Sequence, residues 1–343
     1  VFYNAAMAVD RDLGVALARE LREEGEGPLR GWEMLAATGV RGLRLVRETD
    51  LFGEMWFTEQ NPEALEVLRR NAARYASRGA HVRSHDAHHV LKGAPFDFVD
   101  LDPYGTPVPF LPTAIAALRS GGLLGVTATD MMVLAGVLRG TCEARYGARP
   151  LRGRFGPEGG LRILLAHVAK IAAAQRRRAR PILAYVHDHH VRAYLRLDEA
   201  SEDESPLPVG LLSEPWDGPA VIGGPFGPMW LGRLFDPALV ARMGTPPGAA
   251  RAKELERMLG AFRGESRADR PLFYEPNELA STLHLPNPPA IDALLDRLES
   301  GGWSAGRSHV RAAAFRTTAP RVDVLLAAKA VSEGQAQKPR VRA

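Results

Sequence analysis

From residue 29 onward, short apolar runs alternate with stretches in which apolar residues recur every three or four positions. Short apolar runs bounded by turn formers read as buried strands, and the wider period reads as amphipathic helix. The alternation predicts an α/β domain whose βα units feed a mostly parallel sheet. Strands are expected at residues 32–36, 55–58, 81–84, 96–101 and 123–127, with helices between them. The best-marked helix begins at Pro62 and runs to about Tyr75: Asn61 can cap it, Pro62 suits its first turn, and Leu65, Val67 and Leu68 supply apolar contact. A second apolar helix covers 161–174. Residues 182–186 and 191–197 then predict a hairpin, turning near Asp188, that closes the sheet.

The pattern pauses at the acidic, serine-containing stretch 198–205. A proline- and glycine-rich passage follows to Pro228, then helical text over 237–262. Residues 277–283 and 290–298 predict two more helices, and Gly301 and Gly302 turn the chain toward strand-like residues at 310–315. Helix, helix, wing is an arrangement that binds nucleic acid, and it serves structural modules equally well. The tail from Glu333 is polar. A chain of 343 residues exceeds the size at which single cores stop growing, about 250 residues. Two domains are therefore expected, 1–205 and a smaller α+β unit, 206–343.

Composition narrows the classes. With 45% apolar and 24% charged residues the chain is globular in character, which excludes fibrous and disordered classes. No run approaches the roughly 20 apolar residues of a membrane span, and the N-terminus lacks the regions of a signal peptide. A cytoplasmic protein without a membrane partner is expected, and no obligate protein partner is evident. The single cysteine, Cys142, permits no internal disulfide and no thiolate zinc site. The net charge is +4, with arginine well ahead of lysine. Arginines gather at 139, 145, 149, 152 and 154 and again at 176, 177, 178 and 180, either as a phosphate-binding face or as solvated helix flanks.

Candidate chemistry lies at the ends of the predicted strands. Ala37-Thr38-Gly39-Val40-Arg41-Gly42 forms a glycine-containing turn, without the full dinucleotide spacing. Glu59 ends the next strand about 20 residues on, where an acid can accept ribose hydroxyls. It could equally favour the following helix N-terminus. Asp86 with Ala87 ends the third strand, placed to accept an adenine amino hydrogen. His81, His85, His88 and His89, and again His187, His189 and His190, invite a metal reading. Strand alternation, however, lets His187 and His189 converge but not His190, and neither an acid nor a cysteine set completes a site. No metal is expected. The fourth strand ends Val99-Asp100-Leu101-Asp102-Pro103-Tyr104-Gly105. An exocyclic base amine is a weak nucleophile, because its lone pair is conjugated into the ring. A carboxylate at Asp102 can accept its N–H hydrogens and its proton, and the ring of Tyr104 can stack the extruded base. A plain Asp-Pro turn is the alternative.

These passages carry a resemblance. Val1-Phe2-Tyr3-Asn4, the turn at 37–42, Asp100-Leu101-Asp102-Pro103-Tyr104-Gly105-Thr106-Pro107, Gly125-Val126-Thr127-Ala128-Thr129-Asp130, Gly227-Pro228-Met229-Trp230-Leu231-Gly232 and Pro271-Leu272-Phe273-Tyr274 resemble the tRNA guanine-N2 dimethyltransferase family, which modifies position 26. The likeness spans nearly the whole chain. It implies a Rossmann-like class I methyltransferase domain with a seven-stranded sheet, a C-terminal domain that helps hold tRNA, and S-adenosyl-L-methionine as cofactor. Carried over by position, it puts Arg11 and Arg41 on the methionine part of the cofactor, Glu59 on its ribose, and Asp86 with Ala87 on its adenine. Asp102 would be catalytic, and Phe2 would sandwich the base against Tyr104. The family often has phenylalanine at the Tyr104 position and arginine at Ala6, and some members carry zinc-binding cysteines absent here. The numbering begins inside the opening motif, so residues before Val1 are expected. Two other readings stay open: amino methylation of a different substrate, such as adenine N6 or a small amine, and a tRNA-binding module that has lost catalysis.

Overall fold

Seven strands form one sheet: β1 (Leu29–Glu33), β2 (Phe52–Glu59), β3 (Ala80–Ser84), β4 (Phe96–Leu101), β5 (Leu118–Ala128), β6 (Arg177–His187) and β7 (His190–Glu199). Their order is β3-β2-β1-β4-β5-β7-β6, parallel throughout β3 to β5 and antiparallel where β7 enters between β5 and β6. This computed structural model describes residues 4–201, 205–213, 216–268 and 270–336. The order reverses between β1 and β4, so their carboxyl ends flank the crevice where open α/β sheets take ligands.

The expected strands are present, but β1, β2, β5 and β6 each begin three to five residues early. β1 lies three residues ahead of its expected start. Gly31 sits inside it because a Cβ there would fall 2.6 Å from Met55 Sδ, so the strand needs a residue that a sequence reading counts as a strand breaker. Residues 34–38 are released into the turn, where Ala37 (φ 47°) and Gly39 (φ 73°) adopt left-handed backbone. β6 starts early and takes Arg177, Arg178 and Arg180 into the sheet, not onto a helix flank.

Helices α1 (Ala8–Glu23), α2 (Val40–Glu48), α3 (Pro62–Ala72), α4 (Leu111–Ala116), α5 (Met131–Leu134), α6 (Arg139–Tyr146) and α7 (Gly156–Ala174) accompany the sheet. Asn61 caps α3 as expected, its side chain accepting from the Glu63 and Ala64 amides at 2.9 and 3.2 Å. α1 went unread in the sequence because its buried face carries Asp10, Arg11 and Asp12 beside Leu13 and Leu17, which blurs the apolar period.

Beyond the sheet come the ribbon β8 (Val209–Leu212) and β9 (Phe226–Trp230), then α8 (Pro237–Arg242) and α9 (Ala252–Ser266). Phe226, Met229, Trp230, Leu259, Phe262 and Phe273 share one core with the sheet. A smaller core contains Tyr274, Leu279, Leu294, Leu298, Phe315 and Val324. It is built from α10 (Pro276–Leu283), α11 (Ile291–Ser300), the ribbon β10 (Ala305–Arg307) with β11 (Phe315–Thr317), and α12 (Arg321–Ala336). The expected wing at 310–315 is thus the connection of this short ribbon, with only Phe315 of that span in a strand. A buried ionic joint ties the two cores. Arg316 of β11 donates to Glu158 of α7 at 2.7 Å and to Glu265 of α9 at 2.9 Å, and Arg162 also donates to Glu158 at 2.8 Å.

Candidate active site

β4 delivers Asp100 and, one residue past its end, Asp102 to the crevice. Asp100 is buried, and its Oδ1 accepts from Nη2 of Arg192 at 2.6 Å. Arg192 stands on β7 opposite Thr127 of β5, whose hydroxyl it also meets at 2.7 Å. Arg41, from the first turn of α2, lies with Nε 3.4 Å from Asp100 and donates from Nη2 to Asp102 Oδ2 at 2.8 Å. Two acids therefore face two guanidiniums in a chain Arg192, Asp100, Arg41, Asp102. Desolvation alone would raise the carboxyl of Asp102, but Arg41 and Arg192 hold it below the usual carboxylate range. It stays ionised, and a quarter of its side chain remains open to solvent.

Glu33, at the end of β1, adjoins this chain and accepts from the Gly42 amide at 3.0 Å. Burial and the nearby Asp100 charge push its carboxyl up to about 8, so it is a neutral acid at ordinary pH. The charges are already balanced two against two, and ionising Glu33 would add an unmatched third anion.

The loop after Asp102 is strapped in place. The Gly105 amide donates to the Thr129 hydroxyl at 2.7 Å, the Thr129 amide donates to the Gly105 carbonyl at 2.9 Å, and the Thr106 and Tyr146 hydroxyls lie 2.8 Å apart. Tyr146 in turn donates to Asp130. Gly105 takes φ 91°, which L side chains rarely adopt. On this fixed loop the Tyr104 ring is 98% exposed, an unusual state for an aromatic residue and one that fits a stacking platform.

Of the residues expected to hold the cofactor, Glu59 and Asp86 stand at the carboxyl ends of β2 and β3, Arg41 opens α2, and Arg11 lies on α1. Glu59 ends β2 and accepts from the amides of Ala37, Gln60 and Asn61 at 2.8–2.9 Å. A carboxylate has about four acceptor positions, so it retains capacity for a ribose hydroxyl while bracing the turn. Asp86, beyond β3, accepts from the backbone amide and ring of His88, which hold its carboxyl below the ordinary value, and Ala87 is buried beside it. Arg11 of α1 is buried, with both terminal nitrogens 3.2 Å from the Asn4 carbonyl. Nη1 of Arg41 is buried without a hydrogen-bond partner. Such an orphan donor beside the turn fits the carboxylate of an amino-acid-bearing cofactor. Phe2 lies outside the described residues.

The sequence profile of the family described as N2,N2-dimethylguanosine tRNA methyltransferase matches residues 1–206 and 223–328. The chain belongs to this family. It is 33% identical over 350 residues to the tRNA (guanine(26)-N(2))-dimethyltransferase of Thermococcus kodakarensis, an alignment covering 93% of this chain and 90% of that one. It is 32% identical over 363 residues to the Pyrococcus abyssi protein of the same name, covering 96% and 93%. Its fold is similar to that of Trm1 from Pyrococcus horikoshii solved with S-adenosyl-L-methionine, with a TM-score of 0.79, 30% identity, and 95% and 94% of the two chains covered.

Within this dimethyltransferase fold, two readings of the sequence change, and two residues that the sequence does not mark join the site. His187 and His190 do converge, because they are not on one strand: they face each other across the hairpin, in register, and both reach Asp10 of α1. Alternation governs residues of one strand, whereas the chain turns at Asp188, and the completing acid lies 180 residues away in sequence. The second arginine run is largely occupied internally. Arg177 donates to the carbonyls of Leu118 and Leu197, Arg178 to that of Ser205, and Arg180 to Asp198. In the first run, Arg145 pairs with Asp130 and Arg154 with Glu278. Arg192 and Glu33, finally, were not singled out. Alternation with the apolar Val191, Ala193, Leu195 and Leu197 assigns Arg192, like Arg196, to a solvent face, and only the tertiary fold shows that face covered at Arg192. Among the described residues, no helix is long and apolar enough to cross a membrane.

Proposed function

We infer that the chain transfers one or two methyl groups from S-adenosyl-L-methionine to the exocyclic N2 of guanine 26 in tRNA. The observation that carries this reading is Asp102: an ionised, partly open carboxylate fixed by Arg41 at the switch point of the sheet, two residues before an exposed ring. When bound, the cofactor supplies a methyl group on a positively charged sulfur. The protein's part is placement. Tyr104 stacks the swung-out guanine, and Asp102 accepts an N–H hydrogen so that the nitrogen lone pair faces the methyl group. The methylated nitrogen is strongly acidic, so even a weakly basic carboxylate can take its proton. Arg41 positions Asp102 from one side and meets the cofactor's carboxylate from the other. Arg11 assists on the methionine part, Glu59 takes the ribose and Asp86 with Ala87 the adenine. Phe2 is proposed as the second face of the base sandwich.

Transfer of labelled methyl from the cofactor to an unmodified tRNA transcript tests this reading. Asp102→Ala should lower the rate by about 10²- to 10⁴-fold while retaining cofactor binding by calorimetry. Equal incorporation by both proteins would remove Asp102 from the chemistry.

A further inference from the structure

Asp10, His187 and His190 are buried together between α1 and the β6–β7 hairpin. One Asp10 oxygen lies 2.8 Å from His190 Nε2, and the other 3.1 Å from His187 Nδ1. The three donor atoms fall within 4.8 Å of one another. In a tetrahedral site with bonds of about 2.0–2.1 Å, ligand atoms stand about 3.3 Å apart, so one ion reaches all three when the Asp10 contacts lengthen slightly and the histidine nitrogens, no more than 4.8 Å apart, turn onto one centre. The opposite ring nitrogen of His187 lies 3.3 Å from Glu254 of α9. Ligating imidazoles commonly hand their second N–H to a carboxylate, which fixes the tautomer and aims the free nitrogen at the metal.

We propose that Asp10, His187 and His190 form a binding site for one divalent transition-metal ion of the zinc class, with Glu254 orienting His187. Two imidazoles and one carboxylate favour zinc or cobalt over magnesium or calcium, which take oxygen ligands. The charges close: a dication is matched by Asp10 and Glu254 with both histidines neutral. His187 and Glu254 line a cleft of about 830 Å³ bounded by α9 and the C-terminal unit, which brings solvent to the His187 side of the cluster. Asp10 precedes Arg11 on α1, and His190 stands two residues before Arg192 on β7. The ion therefore staples the N-terminal helix to the strand that holds the catalytic cluster. Its role is to position, and it takes no part in methyl transfer.

The test is titration of chelator-treated, full-length protein with Co2+, followed by visible absorption, and with Zn2+, followed by calorimetry and metal analysis. Wild type should bind one equivalent with the absorption of a tetrahedral cobalt site and gain thermal stability. His187→Gln and His190→Gln should each lose the absorption, and His189→Ala, at the exposed turn of the same hairpin, should keep it. Should either histidine variant fail to fold, as judged by circular dichroism, Glu254→Gln replaces it, with binding about 10- to 100-fold weaker. No stoichiometric uptake by wild type, uptake undiminished in a folded histidine variant, or unchanged affinity in Glu254→Gln would overturn the site. None of these readouts depends on tRNA or on methyl transfer.

Discussion

Ionising Glu33 would put a third carboxylate beside Asp100 and Asp102, which two buried guanidiniums already balance. Its folded carboxyl is raised to about 8 from an ordinary value of 4.5, so the folded chain keeps a proton that the unfolded chain has given up. The stability linked to Glu33 is fully present below about pH 4.5 and is lost as pH rises through about 8. Glu33→Gln keeps a neutral side chain able to accept from Gly42 and removes the titration. Melting curves should show the variant gaining on wild type from about pH 5 to about pH 9; parallel pH profiles would place the neutral acid elsewhere. Arg192 is the complementary case. Arg192→Met strips Asp100 of its short partner and strands a buried charge, with an expected loss of about 3–5 kcal/mol in denaturant unfolding. Much of it should return in Arg192→Met combined with Asp100→Asn, and additive losses would contradict the pairing. At this scale the candidate acid Asp102 was legible because Asp-Pro-Tyr follows a strand end. Its supports were not, since Glu33 and Arg192 look like ordinary surface residues until the sheet brings them together.

Among elements, those with local punctuation were readable. α3 carries its own start signal in Asn61 and Pro62, and Asn61→Ala should cost about 1 kcal/mol in thermal or chemical unfolding, with Asn61→Asp close to wild type. No difference between the two variants would mean that the cap contributes nothing. β1 and α1 were obscured for opposite reasons. β1 contains a glycine that the neighbouring Met55 demands, and α1 buries charged residues whose partners lie on the hairpin and on other distant segments. In both, a local rule yields to a long-range contact. The hairpin shows the same limit: its turn at Asp188 was legible, but the meeting of His187 with His190 depends on register, and their meeting with Asp10 on the docking of a distant helix.

For the whole molecule, the βα rhythm conveyed the seven-stranded sheet, while the ionic joint of Glu158, Glu265 and Arg316 left no trace in sequence periodicity. The inference that tRNA is the substrate carries an electrostatic consequence. Affinity should fall as salt rises, because guanidiniums that meet phosphates release counterions. Arg177 is spent on strand carbonyls, so Arg177→Gln should leave the slope of log affinity against log salt unchanged, whereas loss of one phosphate contact lowers it by about 1. A shallower slope in this variant would return the second arginine run to the binding surface.

The central claim concerns one atom of one base, and nucleoside mass spectrometry tests it most directly. An unmodified tRNA transcript incubated with the protein and S-adenosyl-L-methionine, then digested and mapped, should carry N2-methylguanosine or N2,N2-dimethylguanosine at position 26. The same transcript incubated with Asp102→Ala should lack both. Methylation of adenine, or of another guanine atom, or an equal yield from the variant, would contradict the account.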